Sequence, residues 1–155
     1  MYKHISNTGK TLLKPTAFSL IELLIVIMII AVLSAIAYPS YEKYVLKAHR
    51  SDAKSSLMKL AVAQEKFYNQ NLSYSDDLVS ADGLNNLSSI TTNGFYQLTV
   101  TIKTYGVDGE DSFSFNATAI NGQTNDNECA QLTINNLNQR QGYTDKGVLN
   151  NRCWL

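Results

Sequence analysis

One carboxylate stands four residues into an otherwise uncharged run, Phe18-Ser19-Leu20-Ile21-Glu22, which continues as far as Tyr38-Pro39. An uncompensated ionised residue in a bilayer costs roughly 2.5–3.5 kcal/mol, so Glu22 needs a partner. Two cysteines, Cys129 and Cys153, fall late in the chain, and an even pair behind an exported N-terminus reads as one disulfide. Closing that loop should contribute about 3 kcal/mol. Arg140, Lys146, Arg152 and Trp154 lie in or beside the loop. Such residues can neutralise phosphates and stack on bases, although a core-capping Trp and ordinary surface cations are the plainer reading. The acids Asp108–Asp111, Asp126 and Glu128 lack the ligand spacing of a calcium loop and read as turn chemistry. His4 and His49 form no cluster, and no nucleophile–base pair or phosphate loop is present. The expectation is therefore no enzyme, no metal and no cofactor.

The elements that must carry these groups follow from periodicity. Phe18–Tyr38 is 21 residues, roughly 31 Å of helix, which matches a bilayer core. Lys3, Lys10 and Lys14 precede it without an acid and orient the N-terminus to the cytoplasm. A cleaved secretory signal ending at Ala35-Ile36-Ala37 is the competing reading, and it would release a domain starting at Tyr38. Beyond Pro39, which should kink or loosen the helix without ending it, Tyr44, Leu57, Leu60, Ala61, Phe67 and Tyr68 recur at helical spacing. Lys43, Lys47, Arg50 and Lys54 make a basic stripe on one face. A solvated face is the plainer reading of that stripe; lipid head groups or acidic neighbours are the others.

Asn69–Gly94 is rich in Asn, Ser and Asp and reads as a long surface loop. Alternation then marks strands at Tyr96–Lys103, Phe113–Ala119 and Ala130–Ile134, with a weak fourth near Gln139–Tyr143. The expected fold is α+β: a long N-terminal spine helix packed on a 3–4-stranded antiparallel sheet, ending in a disulfide-bounded loop. The expected organisation is a leader at 1–17, a transmembrane and assembly helix at 18–39 and its amphipathic continuation at 40–70. A loop at 71–94 and a head at 95–155 follow. From Ser75 onward nine acids face four bases, so this C-terminal portion carries about −5 and argues against generic nucleic-acid binding.

Ala17 followed by Phe18-Ser19-Leu20-Ile21-Glu22, with Pro39 closing the apolar stretch, resembles the class III signal of the type IV pilin family. Lys47–Ala53 and the short Cys153-Trp154-Leu155 end look most like a minor pilin. The resemblance implies cleavage between Ala17 and Phe18 by prepilin peptidase and methylation of the new Phe18 amine. It implies that Glu22 pairs with the N-terminal ammonium of a neighbouring subunit, that Pro39 marks a loosening point, and that the loop Cys129–Cys153 meets partners. Ala17 stands where the family usually has Gly, implying slower processing. Implied partners are other pilin subunits, the peptidase/methyltransferase and the assembly machinery of the bacterial inner membrane; DNA is not expected from an acidic head. The implied location is that membrane, N-terminus cytoplasmic and head periplasmic, and later an extracellular pilus serving twitching motility, adhesion or DNA uptake. The alternatives are a pseudopilin of a type II secretion system, a pilus DNA-receptor subunit, and the independently secreted domain.

Overall fold

The computed structural model describes residues 18–85, 88–103 and 111–155. The leader, including Ala17, and the acidic turn 106–110 lie outside the described residues. The chain divides at Ser40/Tyr41 into two compact units, taken here in turn.

In the first unit, helix α1 (Leu20–Asn71) begins with Glu22 in its opening turn, and residues 20–40 are all exposed. This stretch is long and apolar enough to cross a membrane. Pro39 lies inside α1 and the helix runs through it. Pro39 has no N–H to offer the preceding turn, and the Ser40 hydroxyl donates 3.4 Å to the Ile36 carbonyl beside that gap.

In the second unit α1 buries Ala53, Leu57, Leu60 and Gln64, a row at i, i+4, i+7 and i+11 that makes one face. Tyr44 is not part of it and stays 73% exposed. Thirteen residues before Leu57, it is turned from that face by about 220° at roughly 100° per residue. The helix stops where Leu72 adopts φ 55°, a left-handed residue that ends the ladder. Buried Gln64 then fastens the following loop: its amide nitrogen donates 2.9 Å to the Ser75 carbonyl, and its oxygen accepts from the Ser75 N–H at 3.4 Å. Further on, Asp77 accepts from the N–H groups of Val79 and Ser80. The Ser80 hydroxyl foremost, and then these N–H groups, hold its carboxyl below the usual range.

Strands β1 (Tyr96–Lys103), β2 (Ser112–Ala119), β3 (Gln131–Asn135) and β4 (Arg140–Tyr143) form an antiparallel meander in sequence order. Alternation sets the inner face: Tyr96, Leu98, Phe113, Phe115, Ala117, Leu132 and Ile134 are buried with the α1 row. Val100 and Ile102 are only half-buried, against the edge of that core. On the outer sides of the sheet, Ile90 bridges Gln97 on β1 and Leu149 bridges Tyr143 on β4. Cys129 and Cys153 are disulfide-bonded with their Cα atoms 5.6 Å apart. The bond is seated on β4 at Gly142, where an added Cβ would collide with the Cys153 Cβ and lie 2.8 Å from its sulfur. Glycine is therefore required there by space alone.

Candidate functional site

The basic stripe falls in a register that its own residues do not reveal. Lys43, Lys47, Arg50 and Lys54 continue through Leu57, Ala61 and Gln64 at alternating steps of four and three, so they share the row that meets the sheet further along. Two of the four are accordingly turned toward the head rather than solvated. The Arg50 guanidinium grips Asp126 with two bonds, Nε to Oδ2 at 2.6 Å and Nη2 to Oδ1 at 2.7 Å. Lys54 Nζ donates 3.0 Å to the Leu155 carbonyl. Partial burial lowers the Lys54 ammonium below its ordinary value, and the neighbouring Arg50 and Lys47 charges add to this.

Asp126 is 2% exposed and has further support. The Cys129 N–H donates 3.2 Å to its Oδ1, and the Gln123 amide nitrogen lies 2.8 Å from its Oδ2. That nitrogen also faces the Leu46 carbonyl at 3.2 Å and the Tyr96 hydroxyl at 3.0 Å. Because the carboxylate and carbonyl only accept, Gln123 must point its NH₂ this way. Its oxygen therefore accepts from His49 Nδ1 at 2.9 Å, and the His49 ring stacks on Phe95 with centroids 3.6 Å apart. Sequence reasoning assigned Asp126 to turn chemistry; the structure makes it the buried centre of a clamp between α1 and the segment entering the disulfide. The missed signal was an acid three residues before a cysteine and opposite a helix arginine, which becomes legible only once the two are brought together. Glu128, 78% exposed, reaches Arg50 at 3.5 Å. Both acids thus face a guanidinium rather than a cation site.

The Tyr96 hydroxyl titrates against this background. Burial foremost, and then the Asp126 charge, push it well above its ordinary 10.0. The folded state therefore keeps a proton that the unfolded chain releases, so stability should fall as pH rises above 10.0 and be unaffected by this group below it. The expected slope is about 1.4 kcal/mol per pH unit. Alkaline thermal melts check this, and Tyr96→Phe should remove that slope.

The other residues singled out from sequence are distributed as follows. Phe18 and Glu22 sit at the exposed start of α1. The Arg140 guanidinium lies 5.6 Å over the Trp154 ring, whose Nε1–H donates 2.8 Å to the Gln141 carbonyl. Lys146 is exposed in the turn after β4. Arg152 lines a groove with Lys43 and Lys47, whereas Arg140 lines a different one beside Met58 and Val62. The four candidate partner-contact residues thus do not form one cluster; only Arg140 and Trp154 are placed together.

Known proteins supply independent likeness. Residues 39–133 match the family described as "Type IV minor pilin ComP, DNA uptake sequence receptor". Residues 14–38 match the "Prokaryotic N-terminal methylation motif". The chain is 44% identical over 59 residues to the type IV major pilin protein PilA of Myxococcus xanthus, covering 38% of this chain and 27% of that protein. It is 36% identical over 104 residues to the fimbrial protein EcpC of Eikenella corrodens, covering 66% of this chain and 64% of that one. It therefore spans less than two thirds of either relative. A solved type IV pilin from Shewanella oneidensis aligns with TM-score 0.43 at 23% identity, over 61% of this chain and 89% of that structure.

Proposed function

We propose a function from the premise that this chain belongs to the type IV minor pilin family: it is a pilus subunit, anchored in a membrane and assembled into the filament through its N-terminal helix. The observation that carries this is Glu22, the one charge in the apolar opening of α1. Placed in a filament core, its carboxylate and the N-terminal ammonium of a neighbouring subunit neutralise each other and set axial register, while the apolar surfaces pack without a preferred offset. The motif match over 14–38 spans the Ala17–Phe18 bond and supports cleavage there with methylation of Phe18. Before assembly the chain sits in the bacterial inner membrane, N-terminus cytoplasmic and head periplasmic, where the peptidase and the assembly machinery act on it.

N-terminal sequencing and intact mass of the chain from membranes and sheared filaments test this. The expected start is Phe18 bearing one extra methyl; a start at Tyr38 in the medium would sink the proposal. Glu22→Ala should leave the membrane pool intact and lower recovery in filaments by on the order of fifty-fold, because an unpaired ammonium is left in the core. Equal recovery would strip Glu22 of this role.

A second reading, capture of DNA, is favoured by the family description and by the exposed Arg140 with Trp154 beneath it. The net charge of about −5 from Ser75 onward works against it away from local cations. Charge reversal at Arg140, Lys146 and Arg152 with a duplex-binding assay decides it: undiminished binding removes these residues from any DNA contact.

A further inference from the structure

Beside the Arg50–Asp126 clamp lies a groove of about 650 Å³ between the start of the second unit's helix and the C-terminal segment. Its walls carry Lys43, Lys47, Arg50 and Arg152 against Asp126 and Glu128, four cations to two acids, on a head that is otherwise acidic. Arg50 is already matched by Asp126. Lys43, Lys47 and Arg152 have no acid within 4.0 Å among the described residues, and all three are exposed. Lys43 and Lys47 are four apart on one face, a like-charge pair that weakens a helix, and neither has an acid three or four residues away to relieve it. The field reaches further, since Lys47 and Arg50 both help depress the Lys54 ammonium. Three unmatched cations converging from two elements on one concavity are a receptor for an anion that is not part of the chain.

Position in the chain narrows the anion. Lys43 follows Tyr38, the last residue of the apolar run, by five residues. Even fully extended chain would keep it within about 18 Å of the membrane segment, so the head groups that border the apolar core are within reach. Leu46 and Leu155 give the same groove apolar wall. We propose that this groove binds a phosphate ester, supplied by the head group of an anionic phospholipid in the membrane that holds the N-terminal helix. The assignment rests on the membrane-anchored reading above. Its consequence is that the head is held on the leaflet before assembly and must exchange that phosphate for solvent, or for a neighbour, on leaving.

The test uses the full chain in detergent micelles, with bound lipid read by native mass spectrometry. Phosphatidylglycerol should be retained over phosphatidylcholine, and Lys43→Gln with Lys47→Gln should lower that preference by about thirtyfold. Lys59→Gln with Lys66→Gln removes the same charge from exposed positions elsewhere on α1 and should leave the preference intact. No preference in the parent chain, or equal loss in both variants, overturns the site. Displacement of the lipid by inorganic phosphate alone assigns the groove to a free anion and overturns the lipid source; displacement by duplex DNA does so in favour of nucleic acid. Membrane insertion and filament recovery of the parent chain separate the two readings: a membrane-inserted, assembling parent without lipid preference defeats only the groove, whereas a parent absent from membranes defeats the pilin reading itself.

Discussion

Arg50→Ala should lower the unfolding free energy by about 3–5 kcal/mol, more than loss of a surface ion pair would cost. The reason lies with the partner left behind. Asp126 is 2% exposed, and without the guanidinium it keeps only the Cys129 N–H and the Gln123 amide. Two neutral donors do not compensate a buried carboxylate that has lost two charge-assisted bonds. Water reaches it poorly, and Glu128, itself an acid, worsens the local balance. Asp126→Asn should cost less, since Arg50 is 13% exposed and can be partly solvated. Joint replacement by Met at position 50 and Leu at position 126 should recover most of the loss, because what is expensive is the unpaired charge. Denaturation midpoints in detergent check the series, and the parent, Arg50→Met, Asp126→Leu and joint chains close the cycle. If the single and double variants lose stability additively, the pair is not coupled and the clamp is only a contact.

Breaking the Cys129–Cys153 bond should cost about 3 kcal/mol, from the chain entropy its 24-residue separation restores to the unfolded state. The loss should be local before it is global. The segment after β4 is held by the disulfide, by the Asn150 N–H donating 2.7 Å to the Gly142 carbonyl and by the Trp154 indole on Gln141. β1 and β2 pair along eight residues and bury both phenylalanines without using the bond. Hydrogen exchange on the Cys129→Ala, Cys153→Ala chain should therefore show the Asn150 amide exposed while β2 amides stay protected. Uniform loss of protection would mean that the bond holds the whole head and not its final segment.

Sequence carried the features written in local code. Strict alternation in Phe113–Ala119 placed four side chains inside, and all four are buried. The apolar opening of α1 and the cysteine pair were equally readable. What escaped depends on partners distant along the chain. Gln64 looks like a surface residue until the Ser75 backbone is brought to it. Arg50 and Asp126 are 76 residues apart, so neither an ion pair nor a buried acid has any local signature. Tyr44 lies in the helix as its spacing predicts, but its phase turns it away from the core row. The stripe of cations was legible as a stripe, but its alignment with the core row required the same count to be carried on to Gln64.

The open four-stranded sheet has two raw margins, each a template on which a foreign strand can grow. Here both are partly stoppered from within. Ser89 and Thr91 occupy the first half of the β1 margin through bonds to Leu98 and Tyr96, and the run from Val148 to Asn150 occupies that of β4. Among the described residues only the stretch Thr99–Lys103 is left bare, and it closes on a lysine, a poor site for sticking. In the filament proposed above, heads crowded side by side would thereby be hindered from knitting into cross-β tangles.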